Sequence, residues 1–270
     1  MTKIAAVQMA SGPQVQVNLS EAERLVAMAV SQGAAVVVLP ENFAFMGMKD
    51  HDKLAVAETE GRGPIQGAMS RLAARLGVWI VAGTIPLRGA EPNRVFPSCL
   101  VYNNRGAQVA RFDKIHLFDV SIVGSDETYK ESDTLIPGNE VVVVEGTPVG
   151  CLGLAVCYDL RFPELFRALA SKGAEVVALP AAFTQITGRA HWEVLVRARA
   201  IENLSYVVAA AQGGYHASGR ETHGDSLIVD PWGTVLDRLG RGSGVVVADV
   251  DHRHQRQLRA RFPVLKHRRL

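Results

Sequence analysis

Val149-Gly150-Cys151-Leu152-Gly153-Leu154-Ala155-Val156-Cys157-Tyr158-Asp159-Leu160-Arg161-Phe162-Pro163-Glu164-Leu165-Phe166-Arg167 is the stretch on which the fold turns. Up to Val156 it is uncharged and apolar, which fits a strand buried on both faces. Beyond Cys157 it turns polar, and Pro163 with Glu164 marks a helix start. A thiol at the exit of a buried strand is held rigidly yet faces a cleft. Such a position can lower a thiol pKa and present the thiolate to an acyl carbon. In isolation, a cysteine after an apolar run also reads as a small buried hydrophobe.

The same alternation runs outward in both directions. Strands are expected at 4–9, 36–39, 78–83, 98–103, 150–156, 176–179, 206–211, 225–230 and 244–250, and helices at 65–76, 162–172 and 191–203. Asn18-Leu19-Ser20-Glu21 has the form of a capping box, so a further helix is expected from there to Gly33. Continuous apolar strands alternating with amphipathic segments imply sheets covered by helices, an α/β protein. No linker or internal repeat divides the sequence, so one domain over residues 1–270 is expected, with a basic tail at 252–270.

Composition narrows the class. Of 270 residues, 48% are hydrophobic and only 6% aromatic, so the core must be built from Ala, Val and Leu. The net charge of +2 is too small to imply a polyanion partner, and neither nucleic acid nor membrane is expected. Three cysteines without paired spacing argue against a disulfide framework. The start Met1-Thr2-Lys3 leads directly into a short strand-like run, and no apolar stretch is long enough to span a bilayer. A cytoplasmic location is expected.

Two further segments share the design of an apolar strand ending in a chemically useful side chain. Leu39-Pro40-Glu41-Asn42-Phe43 places a carboxylate past a strand, and Asp113-Lys114-Ile115-His116-Leu117-Phe118-Asp119 carries a lysine among apolar residues. In open α/β sheets ligands bind beyond the carboxyl ends of strands, so Glu41 and Cys157 can converge. A partly desolvated Glu41 can take the thiol proton and return it to a departing amine. Lys114 and the Tyr158 backbone N–H are natural donors to a developing oxyanion. Taken singly, Glu41 also reads as a turn cap and Lys114 as a surface lysine.

Together, the Glu41, Lys114 and Cys157 motifs resemble those of the nitrilase superfamily of carbon–nitrogen hydrolases, in the same order and across nearly the whole chain. The resemblance implies a four-layer αββα sandwich, a homodimer or higher homo-oligomer, and a small-molecule amide as substrate. It also implies a second glutamate between the lysine and the cysteine. Tyr129-Lys130-Glu131-Ser132 matches that segment, making Glu131 a further candidate for positioning Lys114 and the substrate, although Glu131-Ser132-Asp133 also reads as a solvated loop. Two carboxylates beside one thiol would keep one of them partly protonated.

Phe183 to Leu195, Arg197 to Glu202, Asp230 to Val235 and the ending Phe262 to Arg269 are similar to the amidase branch that cleaves deaminated glutathione or ω-amides of α-keto acids. That similarity implies that Arg161 and Thr187 hold the α-keto acid end, where a guanidinium suits a carboxylate. Alternatively Arg161 pairs with Glu164 or Asp159, and Thr187 caps the helix ahead of His191. His116, His191 and His223 follow no zinc-ligand spacing and are expected to pack or hydrogen-bond; no metal or cofactor is expected. Cys99 and Cys151 are expected in the core. The tail is expected at a subunit contact, and the 120–131 loop is a candidate lid.

Overall fold

A computed structural model describes residues 1–123 and 127–269 of the chain. Two six-stranded mixed sheets face each other. In spatial order, the first contains Gly244–Val250, Thr2–Gln8, Ala34–Val38, Trp79–Arg88, Val95–Tyr102 and Gln108–Asp113. The second contains Val235–Leu239, Ser226–Val229, Tyr206–Ala211, Val176–Ala181, Gly150–Leu154 and Val143–Thr147. The helices Val15–Ser31 and Pro64–Leu76 cover the outer face of the first sheet, and Pro163–Ser171 and Gln185–Asn203 cover that of the second. The result is the expected αββα sandwich.

The side-chain period of a strand explains why its apolar runs are unbroken. Ile4, Ala6, Val36 and Val38 point into the core shared with the second sheet. Their alternates Ala5, Val7 and Val37 point into a separate core beneath the first two helices. Each of these strands therefore buries both faces.

Several boundaries differ from expectation. The first helix begins at Val15, so Asn18 lies inside it and is no cap. Instead Asn18 Nδ2 donates to Gly12 O and Ala44 O, while its Oδ1 accepts from Gly12 N, tying the helix to the loop after Glu41. The strands Gln108–Asp113, Val143–Thr147 and Val235–Leu239 escape sequence reading because they lie at or beside sheet edges and are only partly apolar. The tail opens as a helix, His252–Arg261, docked on its own chain. There Gln255 Nε2 donates to Glu175 O and Leu204 O, and Arg259 donates to Ala174 O and Leu204 O. Of the 120–131 loop, residues 124–126 lie outside the described residues; the flanking Asp119–Ser121 and Thr128–Lys130 pair as a hairpin.

Candidate active site

Glu41 follows the strand Ala34–Val38 in a turn whose next residue, Asn42, takes a positive φ of 57°. The neighbouring strand makes that turn possible. A Cβ on Gly83 would run into the Pro40 carbonyl, so only glycine lets the two backbones approach there. At the same irregular point, Thr84 Oγ1 accepts from Asn42 N at 2.9 Å. From the second sheet, Gln212 Nε2 donates to Glu41 O at 3.0 Å, so both sheets fix this turn.

Lys114 follows the strand Gln108–Asp113 and is held through its own backbone: its N–H donates to Pro97 O and its carbonyl accepts from Gly138 N. Its side chain is wholly buried, which removes the surface-lysine reading. Nζ lies 2.9 Å from Glu41 Oε1, and 3.0 and 2.8 Å from the two oxygens of Glu131. Three acceptors match the three N–H groups of an ammonium. Burial alone would push the Lys114 ammonium down, but the carboxylates of Glu131 and Glu41 hold it well above the usual lysine range. Burial likewise opposes ionisation of Glu131, yet Lys114 and the Phe118 N–H outweigh it and hold that carboxyl below its ordinary value. The expectation that one of the two carboxylates stays partly protonated is opposed at Glu131 by the pull of Lys114.

Cys157 follows the strand Gly150–Leu154 and opens a short 3₁₀ turn, Cys157–Arg161, with a positive φ of 49°. Such a conformation is costly for a residue with a Cβ and is kept only where its surroundings impose it. The thiol is 8% exposed and accepts from Ala182 N at 3.4 Å. Burial, then the charge of Glu41, raise its pKa well above the ordinary value, against the smaller opposing pull of Lys114 and the Ala182 N–H. The expected lowering of the thiol pKa is corrected. Burial and the neighbouring Glu41 thus favour the protonated thiol.

Asp159, which sequence reading treated only as a possible partner for Arg161, joins the lysine and cysteine loops. Fully buried, it accepts from Val156 N at 2.9 Å, His116 N at 2.9 Å and His116 Nδ1 at 2.7 Å. His116 in turn stacks on Phe162 with ring centroids 3.6 Å apart. The only hint in the sequence was a carboxylate two residues past the cysteine.

Glu41, Glu131, Cys157, Tyr158, Arg161 and Thr187 all border one narrow slot of about 20 Å³. Arg161 does not pair with Asp159 or Glu164 there: its Nη1 lies 3.2 Å from His191 Nδ1, and its guanidinium lies over the Phe183 ring at 5.1 Å. The helix cap is Thr184, whose Oγ1 accepts from Thr187 N, so Thr187 sits in the first turn with its side chain toward the slot. His223 faces Gln185 and Asp225. Cys99 is buried, whereas Cys151 is half-buried at a strand start rather than in the core. Sequence reading missed Arg220, which also borders the slot and donates from Nη2 to Ala182 O at 2.8 Å. No signal in the sequence marks it, because it comes from a hairpin distant in sequence.

The arrangement sets a thiol beside a carboxylate, with a buried ammonium between two carboxylates. It suits acyl transfer at a carbonyl or nitrile carbon. Residues 3–260 match the family model for carbon-nitrogen hydrolase. The chain is 43% identical to a deaminated glutathione amidase from Synechocystis, over 98% of this chain and 97% of the relative. It is also 43% identical to the human deaminated glutathione amidase, over 98% of this chain and 82% of that one. Among solved structures, Saccharomyces cerevisiae Nit3, a member of branch 10 of the nitrilase superfamily, superposes with a TM-score of 0.88 at 29% identity, covering 100% of this chain and 97% of that one. With the site geometry and this full-length agreement, the chain belongs to the carbon-nitrogen hydrolase family, within the nitrilase superfamily.

Proposed function

We propose that this chain is an amidase that hydrolyses deaminated glutathione to 2-oxoglutarate and Cys-Gly through a thioester on Cys157. The observation that carries the proposal is a buried thiol beside Glu41, which shares with Glu131 a fully buried Lys114.

Glu41 takes the Cys157 proton as the sulfur attacks the amide carbonyl carbon. This transfer moves a proton without changing the total charge of the site. Once neutral, Glu41 is a weaker acceptor, so the Lys114 N–H that faced it turns to the developing oxyanion, with the Tyr158 backbone N–H as second donor. Glu131 stays ionised and keeps the ammonium charged and aimed. The C–N bond breaks as Glu41 returns its proton to the leaving amine. Water, deprotonated by Glu41, then cleaves the thioester to release the acid and the thiol. Arg161 and Thr187 hold the carboxylate end of the acyl chain in the slot.

The whole chain acts as a single hydrolase domain on this reading. Exposed Trp232 and Phe262, packed edge to face at 5.7 Å, favour the 252–270 tail as a contact in a homodimer. Three free cysteines accord with a cytoplasmic location. No helix among the described residues is long and apolar enough to cross a membrane.

The test ranks deaminated glutathione, α-ketoglutaramate, N-carbamoyl compounds and simple nitriles by kcat/KM, with Cys157→Ala as control. The expected result is deaminated glutathione first and a loss of roughly 10³-fold or more in the variant. Faster turnover of α-ketoglutaramate would make the chain an ω-amidase with the same acyl half. Surviving hydrolysis in Cys157→Ala would overturn the mechanism.

A further inference from the structure

We propose that a second, wider chamber beside Cys157 is a binding site for a leaving amine that carries a carboxylate, recognised by Lys53 and Arg220. The inference rests on the amidase reading above and adds the residues that read the departing half. This chamber, about 220 Å³, meets the slot across Glu41, Asn42, Phe118, Glu131 and Arg220, which border both. The two substituents of a carbonyl seated at Cys157 leave its carbon in different directions. With Arg161 and Thr187 at the slot end, the amine side projects into the chamber.

The chamber is built for an anion. Its acids are largely spent on other partners: Glu41 and both Glu131 oxygens face Lys114, and Glu131 Oε2 also accepts from Phe118 N. Of the cations on its wall, Lys130 pairs outward with Asp133. Lys53 forms no ion pair among the described residues, and Asp50, on its own turn, is the remaining acid of the chamber wall. Burial pushes the Lys53 ammonium below the usual lysine range despite the nearby charges of Glu131 and Asp50. Arg220 is anchored through Nη2 on Ala182 O and lies over the Tyr129 ring at 5.1 Å. Its Nε is buried with no hydrogen-bond partner among the described residues. An unpaired buried donor beside a half-buried ammonium, both walling one cavity, leaves two groups whose missing partner is an acceptor anion. Exposed Lys49 adds positive charge at the mouth. Cys-Gly ends in a carboxylate; ammonia offers nothing for these groups to hold.

Three amides with one acyl half separate this inference from the reading beneath it: α-ketoglutaramate, deaminated glutathione, and deaminated glutathione with its glycine capped as the amide. The wild-type enzyme should favour the free acid over the capped form by roughly tenfold or more in kcat/KM, expressed mainly in KM. Lys53→Gln should bring that ratio toward one, and Lys53→Arg should restore it. Turnover of α-ketoglutaramate reports in each variant whether the protein is folded and the acyl chemistry intact. Equal wild-type rates on the free and capped forms, or a full preference in folded Lys53→Gln, would overturn the chamber assignment and leave the amidase reading standing. Failure of the wild type on all three amides would overturn the amidase reading and the chamber with it.

Discussion

The slot and the chamber share a wall but are assembled in different ways. The slot draws Cys157, Tyr158 and Arg161 from one 3₁₀ turn and Thr184 and Thr187 from one helix start. It is narrow, has Tyr158 and Phe183 on its wall, and is closed from the side of the first sheet by Glu41, Asn42, Phe118 and Glu131. The chamber draws Lys49 and Lys53 from the loop after Glu41, Tyr129 and Glu131 from the segment after Lys114, and Arg220 from a distant hairpin turn. Residues contributed by one turn or one helix start can be read as a motif; Arg220, which reaches both cavities from a distant hairpin, cannot. The same contrast suggests a division of labour, with a rigid slot for the acyl chain and a wider loop-built chamber for the amine.

The sharpest way to break that division is to disturb the charged wall that both cavities share. Glu131→Gln leaves Lys114 with one carboxylate and an amide where the second stood. Removing one partner from a buried ion pair costs about 3 kcal/mol or more, and Glu41 offsets part of this. We expect a lower urea midpoint and a fall in kcat of about 10²-fold for every amide alike, because the affected group serves both cavities. A loss confined to one substrate would place Glu131 in recognition instead.

Arg161→Lys separates the cavities. A lysine cannot reproduce the planar two-point grip on a carboxylate, so KM should rise about tenfold for deaminated glutathione and α-ketoglutaramate equally. Lys53→Gln, by contrast, should discriminate between them. An Arg161→Lys effect that depended on the leaving amine would merge the slot and chamber into one undivided site.

The smallest expected effect is in pH. The folded protein retains the Cys157 proton beyond the ordinary thiol value of 9.0, because burial and Glu41 oppose the thiolate. Above that pH the unfolded chain binds fewer protons than the folded one, so this thiol makes stability fall as pH rises. The melting temperature of the wild type should therefore decline relative to Cys157→Ser between pH 8 and pH 10. A constant gap would mean that the thiol ionises normally, and the neutral resting state would have to be abandoned.

Chemistry and fold were legible to different depths. Strand exits at Glu41, Lys114 and Cys157 stood out because each reactive side chain ends or follows an apolar run, and hydrophobic periodicity is a local property. The helix start near Asn18 was misread because Asn18, inside the helix, binds both the segment before it at Gly12 and the distant loop at Ala44 rather than capping the helix. The direction of the thiol's pKa was also misread. A strand exit before a helix suggests an activated thiolate, but the folded site buries the sulfur and sets a carboxylate against it.

The sequence by itself determined the layered α/β class and singled out Glu41, Lys114 and Cys157, since these depend on residue type and short-range pattern. Only the tertiary structure decided that Glu131 pairs with a buried Lys114, that Asp159 locks two loops together, and that Lys53 and Arg220 wall one chamber. Charge state and pocket membership depend on distances between segments far apart in the chain, and those distances are set when the two sheets pack.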